Sequence, residues 1–449
     1  MDPIERTKAD LALLREKLDS GRMRSARIMV NSLHPAEVAR LLESLPLKDR
    51  AVLWELVDSE IEGDVLVEVA EEVRDGLIEG MGTEQMIAAL DGMEVDDLAD
   101  LVADLPETLT EEVLQSLDKQ DQERLEQVLA YDEESAGGLM NVDIVTVRPD
   151  VTLEVVARYL RVVGEIPDGT DSIFVVSRDN GYIGSLFLSR LLTHDPEEMV
   201  ASVMSTDVMP IPAHTPSTQV VWEFENRDLL SAPVVDDDFR VLGRITVDDV
   251  VDVIRDEAEH SLMSAAGLDE EDDMFAPVVK SASRRALWLG VNLGTAFLAA
   301  AVVDLFQSTI DKVVLLAVLM PVVPSMGGVA GSQSLTIITR AIALGQINSG
   351  NARGIMRKEL MVGFLNGCGW AVVVALFTFL WFRDWRIGSI IGAAMVINLF
   401  VAALAGYSIP LILRQLRVDP ALAGGVVLTT VTDVVGYMAF LGLGAAFLL

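Results

Sequence analysis

From about residue 286 to its last residue the chain is a succession of apolar runs, at 286–306, 313–340, 360–382, 388–413 and 421–448. Each is as long as the ~20 helical residues that cross about 30 Å of hydrocarbon. No other feature constrains the fold as strongly. Backbone in hydrocarbon must satisfy its own hydrogen bonds, so the runs are expected to be five packed helices. The basic residues orient them. With the N-terminal part inside, Arg284, Arg285, Arg353, Arg357, Lys358, Arg414 and Arg417 fall on the cytoplasmic side, while "DLFQSTIDK" and "RDWR" fall outside. Five spans then leave the C-terminus outside. Residues 1–30 are charged and helix-like rather than a signal peptide. The expectation is a multi-pass protein of the cell (inner) membrane with its N-terminal part in the cytoplasm.

That N-terminal part is chemically different. Of 34 basic and 69 acidic residues, 11 and 6 lie from Arg284 onward, which leaves 23 and 63 before it, a net of −40 against +5. Such an acidic surface repels nucleic acid and anionic lipid headgroups and gathers cations. The single Cys368, inside an apolar run, excludes a disulfide framework and a cysteine metal cluster, and the four histidines are scattered.

Residues 1–130 carry apolar residues at helical spacing in short segments such as "HPAEVARLLESLP" and "EVDDLADLVADLP", broken by Pro, Gly and acidic clusters. They are expected to stack as a superhelical array of helix pairs. Next, the chain repeats itself: "FVVSRDNGYIGSLFLSRLL" at 174–192 aligns with "PVVDDDFRVLGRITVDDVV" at 233–251 at a constant offset of 59, and Gly184 coincides with Gly243. Each copy reads strand, turn, strand, helix start, the order of a CBS domain, which the pair resembles. The expected fold is multi-domain. An α-helical superhelical N-terminal domain (1–130) precedes an α+β CBS-domain pair (131–200 and 201–255), an acidic linker helix (256–283) and an all-α transmembrane domain of five helices (284–449).

Asp433 is the only charge of the last run, about 13 residues in. A charge near the bilayer centre costs roughly 2.5–3.5 kcal/mol, so it is expected to face a bundle interior or a water path. The alternatives are a place near a membrane surface or a protonated carboxyl bonded between helices. Thr429, Thr430 and Thr432 supply hydroxyls beside it. Hard oxygens suit magnesium, calcium or manganese, whereas zinc or copper calls for His, Cys or Met clusters that the spans lack. One carboxylate is too little for a dication, and a two-fold axis through the path would pair two Asp433 side chains, which points to a homodimer. The second run holds "MPVVPSMGGVAGSQSLT" at 320–336. Pro321, Pro324, Gly327, Gly328 and Gly331 predict a broken helix lining a cavity, or a close helix contact of the Gly-x-x-x-Gly kind, or both. Ser325, Ser332, Gln333, Ser334 and Thr336 add neutral oxygens. The expected path lining is Gly327, Gly328, Gln333, Thr429, Thr430 and Asp433. Asn292, Asn366 and Asn398 read as interhelical hydrogen-bonding groups.

In the soluble part Asp96 and Asp100 are four apart, and Asp249 and Asp252 three apart, so each pair shares a helix face; Asp256, Glu257 and Glu259 continue along the linker. Packed acids repel unless cations bridge them.

The order of acidic helical domain, "YDEESAGGLM" at 131–140, CBS-like pair, acidic linker and five spans carrying "GGVAGSQS" and "DPALAGGVVLTTVTDVVG" resembles the MgtE-type magnesium transporters. The resemblance implies a homodimeric magnesium channel that cytosolic magnesium closes, with Asp433 as the pore aspartate. It implies regulatory magnesium ligands at Asp96, Asp100, Asp228, Asp249, Asp252 and Glu257, with Asp64 and the backbone of Gly138 as further ones. The chain departs from the family at Val329, at Gly425–Val426, at "PST" over 216–218 and at His260. "TVDD" at 246–249 has the Thr-x-x-Asp pattern that holds a ribose, so an adenosine nucleotide is a candidate ligand, although the first copy's "FLSR" lacks it. The competing readings are a broader importer of cobalt, manganese or nickel, and a non-conducting membrane-anchored CBS sensor. An enzyme is not expected, since the chain has no nucleophile–base pairing, P-loop or HExxH motif.

Overall fold

The structure is a computed structural model that describes residues 3–449 apart from 91–92, 104, 106, 118, 165, 168, 266–273, 344, 349 and 417. Arg417 and the middle of the expected linker, 266–273, therefore lie outside the described residues. The described chain forms two units, one running to Ala258 and including the short stretch that ends at Ala276, the other beginning at Glu259 and resuming at Pro277.

In the first unit ten helices, α1–α10, run between Pro3 and Leu129 among the described residues. Helix α3 (Pro35–Glu43) shows how local sequence starts such an element. Pro35 takes the first helical position, His34 Nδ1 accepts from the Ala36 N–H, and Glu37 accepts from the His34 N–H. Its Val38, Ala39, Leu41 and Leu42 then enter a core shared with Leu14, Val30, Leu53 and Leu66. Helices α5 (Ser59–Glu68) and α8 (Val95–Ala103) belong to the same array, and α8 packs on α10 (Lys119–Leu129).

The repeat folds into two three-stranded sheets of the same design. β1 (Thr146–Val147), α11 (Leu153–Val163), β2 (Ser172–Val176) and β3 (Tyr182–Phe187) lead to the short α12 (Leu188–Thr193) and α13 (Val200–Val203). β4 (Ile211–Pro212), α14 (Ser217–Arg227), β5 (Ser231–Val235) and β6 (Val241–Thr246) lead to α15 (Val247–Ala265). In each sheet the first strand runs parallel to the second and the second antiparallel to the third, with a register shift at Val175/Val176 and again at Val234/Val235, 59 residues on. Both faces of β2 are buried, Ile173 and Val175 in one core and Phe174 and Val176 in another shared with the second copy.

The coinciding glycines have a structural cause. Asn141, ahead of the first copy, bridges Arg244 of the second, and Ser205, ahead of the second, bridges Ser185 of the first. A Cβ on Gly243 would meet Asn141 O at 2.6 Å, and one on Gly184 would meet Ser205 O at 2.5 Å. Each copy thus clasps the segment that enters the other.

Among the described residues the second unit holds five helices or helix pairs long and apolar enough to cross a membrane. They are α16 (Val278–Asp304), the broken pair α18 (Leu315–Leu319) and α19 (Val322–Ala343), α20 (Ala352–Phe382), α21 (Trp385–Gln415) and α22 (Pro420–Leu448), with the short α17 (Gln307–Lys312) after the first. Pro277 caps α16 and cannot continue a preceding helix, so the span helix starts eight residues before its apolar run. The second span breaks at Met320–Pro321, as its prolines predict. Helix α21 is central, burying Ile391, Ala394, Asn398, Leu399 and Ala402, and packs on α19, α20 and α22. Asn398 makes the expected interhelical bond, donating from Nδ2 to Val323 O at 2.8 Å. Glycines at 327 and 436 leave room for it, since a Cβ on either would come within 2.2 and 3.1 Å of Asn398 Nδ2.

Candidate ion path and acidic cluster

Helices α19 and α22 line a groove of about 790 Å³ with Pro324, Ser325, Gly328, Val329, Ser332, Gln333, Thr336, Ile337, Thr429 and Asp433. Of the expected lining, Gly328, Gln333, Thr429 and Asp433 are brought together there. Gly327 and Thr430 are not among the lining residues: Gly327 is buried against Asn398, and the Thr430 hydroxyl donates to Val426 O at 2.7 Å. Thr429 likewise donates to Gly425 O at 2.9 Å and Thr432 to Thr429 O at 3.0 Å. These bonds use the hydroxyl protons within the helix and leave the oxygen lone pairs as acceptors, the polarity a cation needs. Ser325, Ser332, Gln333 and Thr336 are exposed on the single chain.

In the first unit the acids of three elements face one another. Glu94, Asp96 and Asp97 stand at the start of α8, Asp248 and Asp249 in the first turn of α15, and Asp64 on α5. Each helix start has a local reason for its acids, because the N-terminal end of a helix favours negative charge. Asp249 accepts from the Thr246 N–H at 2.8 Å and from its hydroxyl at 3.0 Å, capping α15. Asn141 donates to Glu94 at 2.5 Å and to Asp96 at 3.3 Å. What local capping does not offset is the meeting of the two helix starts. Burial first, then the charges of Asp249, Asp97 and Glu94, push Asp96 up to about 8. Burial, then Glu94, Asp249, Asp64 and Asp248, push Asp97 up to about 7. Asp249 is raised to about 6, chiefly by burial, against the Thr246 bonds that lower it. Among the described residues no three His, Cys, Asp or Glu converge as a preformed metal shell. The donor set is nonetheless all hard oxygen, which fits a hydrated magnesium or calcium ion.

The other expected ligands are placed differently. Asp100 is exposed one turn along α8. Asp252 is raised mainly by burial, with Glu68 and Asp256 among the acids facing it and Arg255 lowering it from 3.3 Å. Glu257 is exposed on α15. Asp228 ends α14 in the left-handed region at φ 51°, where the first copy has Gly164. Gly138 is buried in a turn where a Cβ would meet Asp132 O at 2.5 Å. His260 Nε2 lies 3.6 Å from Asp419, which caps α22 by accepting from the Ala421 and Leu422 N–H groups.

Sequence reasoning missed Glu94, Asp97, Asp248 and Asn141; the acid-rich runs "MEVDDLAD" at 93–100 and "TVDD" at 246–249 gave a signal for the three acids, and Asn141 had none. It also missed Glu359, which hydropathy places just before the run 360–382. In the structure Glu359 lies within α20, 4% exposed, and accepts from the Ser334 hydroxyl at 2.8 Å.

A groove lined by Asp433 and by hydroxyl and amide oxygens, on helices long and apolar enough to cross a membrane, is the kind of surface a multi-pass transporter for divalent cations presents. The family model described as divalent cation transporter matches residues 320–443, the MgtE intracellular N domain matches 33–134, and the CBS domain matches 136–197 and 200–256. These matches, in this order along the chain, make it similar to the MgtE magnesium transporters, and the relatives it matches are named as transporters rather than enzymes. It is similar to the magnesium transporter MgtE of Bacillus subtilis (strain 168), with 27% identity over 433 residues and 96% of both chains covered. The corresponding transporter of Thermus thermophilus is 28% identical over 433 residues, covering 95% of this chain and 96% of the relative. Among solved structures, the cytosolic domain of the Mg2+ channel MgtE in complex with ATP matches with 29% identity and a TM-score of 0.50, over 54% of this chain and 99% of that one.

Proposed function

We propose that the chain forms a homodimeric magnesium channel in the inner membrane, N-terminus cytoplasmic and C-terminus outside, whose own acidic domain closes it when cytosolic magnesium is plentiful. The observation that carries this is the groove: Asp433 and a row of hydroxyl and amide oxygens line a surface exposed on the single chain of a membrane domain. Polar surface at membrane depth has to be covered or to line water. A second copy across a two-fold axis covers it and pairs two Asp433 carboxylates around a path for a hydrated dication.

The acidic cluster supplies the gate. Held near their present places, Glu94, Asp96, Asp97 and Asp249 repel, and this repulsion drives α8 away from α15. A dication bound among them supplies the charge that offsets it. Asp249 begins α15, His260 lies near its end, and His260 meets the cap of α22, the helix of Asp433. A shift of α15 is thereby passed to the wall of the path. Asp100, Asp228, Asp252, Glu257, Asp64 and the Gly138 backbone are proposed as outer ligands of the same regulatory surface.

Val329 on the groove favours a second reading, broader passage of cobalt, manganese or nickel, because an apolar wall residue adds no oxygen to discriminate among hydrated dications. Adenosine nucleotide binding is supported by the ATP complex of the relative's cytosolic domain. Two measurements test the main reading. The wild-type chain is expected to rescue growth of a strain stripped of its other magnesium uptake systems and Asp433→Asn to fail; magnesium is expected to slow proteolysis of the soluble part. Rescue by Asp433→Asn, or proteolysis indifferent to magnesium, sinks it.

A further inference from the structure

Glu359 is a carboxylate inside the membrane unit that the path itself does not use. Burying such a group costs several kcal/mol unless it is well partnered, and an apolar residue of its size would pack at less cost. Glu359 accepts from the Ser334 hydroxyl of α19 at 2.8 Å. Helices α19 and α20 each pack on α21, and Glu359 carries a side chain from α20 across to α19.

The register of Ser334 gives this bond its meaning. At about 100° per residue, Ser334 lies about 200° from both Ser332 and Thr336, on the side of α19 away from the groove. The same turn is gripped by α21, since a Cβ on Gly406 would meet Gly331 O at 2.7 Å and Ser334 Cβ at 2.8 Å. Eleven residues earlier, about three whole turns and so on the same face, Val323 O accepts from Asn398. Two polar bonds on the rear face therefore hold α19 against rotation, one near each end of the groove.

We propose that Glu359 is a positioning residue of the ion path: through the Ser334 hydroxyl it sets the rotation of α19, and so the presentation of Ser325, Ser332 and Thr336 to the ion. This rests on the reading of the groove as the path. It acts by hydrogen bonding and not by charge, so Glu359→Gln, whose amide oxygen still accepts from Ser334, keeps the path intact.

The test is dication flux into liposomes by the full-length protein, comparing wild type with Glu359→Gln, Glu359→Ala, Ser334→Ala and the double alanine variant. The magnesium-to-cobalt flux ratio and the half-saturating magnesium concentration are read, with thermal unfolding as the check on folding. Each alanine variant is expected to lower the ratio by roughly five- to tenfold, the scale of one lost hydrogen bond, the double variant no further, and Glu359→Gln to stay within about twofold of wild type. Additive losses, an unchanged ratio in the alanine variants, or a loss in Glu359→Gln equal to that in Glu359→Ala overturns the proposal. If Glu359→Ala does not fold, Ser334→Ala decides alone. A wild type that passes no magnesium refutes the ion-path reading and this proposal with it, whereas a conducting wild type with unchanged variants refutes this proposal alone.

Discussion

Replacing Asp249 by Asn separates the two things that this side chain does. The amide oxygen can still accept from the Thr246 N–H, so α15 keeps its cap, but the charge facing Glu94, Asp96 and Asp97 is gone. Two carboxylates about 6 Å apart repel by about 3 kcal/mol at an effective dielectric of 20, and by less where water screens them. Taking about 1 kcal/mol for each neighbour, and subtracting about 0.5 kcal/mol for the lost charge at the helix start, leaves a gain of about 2–3 kcal/mol. The gain is largest near pH 8.5, where Asp96, at about 8, is mostly ionised. For a unit of this size that is a rise of about 5–10 °C in unfolding temperature. Scanning fluorimetry of the full-length protein in detergent, in chelator and then in magnesium, reads it. The variant should unfold higher than wild type in chelator and gain less from added magnesium. A variant no more stable than wild type in chelator, or one that gains as much from the ion, refutes the electrostatic reasoning.

The cluster also predicts a pH dependence. Asp96, Asp97 and Asp249 all titrate higher in the folded chain than the usual carboxylate, so the stability they contribute is fully present below about pH 4 and is lost as pH rises through about 6, 7 and 8. In chelator the soluble unit should therefore unfold at lower temperature at pH 8.5 than at pH 6, and magnesium should narrow the difference. Gly243→Ala sets a Cβ 2.6 Å from Asn141 O and should cost about 2–3 kcal/mol in thermal unfolding, while weakening the magnesium response because Asn141 bonds Glu94 and Asp96. Gly327→Ala, whose Cβ would lie 2.2 Å from Asn398 Nδ2, should cost about 2–4 kcal/mol and elute from size exclusion as a loosened or aggregated species.

Much of the architecture was legible in the residues, because hydropathy and repetition are local signals. The apolar runs gave the five spans, and the offset of 59 recurs in the paired strands and in both register shifts. What stayed hidden depended on which distant segments meet. Nothing in Gly184 or Gly243 says that each clasps the entry segment of the other copy. Spacing along α8 picked out Asp96 and Asp100 as one face, yet Asp96 is brought to Asp249 together with its neighbours Asp97 and Glu94, while Asp100 stays exposed a turn away. Asp228 has a backbone reason for its place that a charge pattern cannot reveal. Glu359 was lost for the simplest cause: with Arg357 and Lys358 beside it, an acid at the edge of an apolar run reads as loop, but α20 begins at Ala352 and draws it inside.

The central claim, an ion path through Asp433 closed by the ion itself, is tested most directly by magnesium flux in liposomes as magnesium on the side of the soluble part is raised, wild type beside Asp433→Ala. Wild-type flux should fall as that magnesium rises, and Asp433→Ala should pass little at any concentration. Asp433→Ala conducting at the wild-type rate, or a wild-type flux indifferent to magnesium on that side, contradicts it.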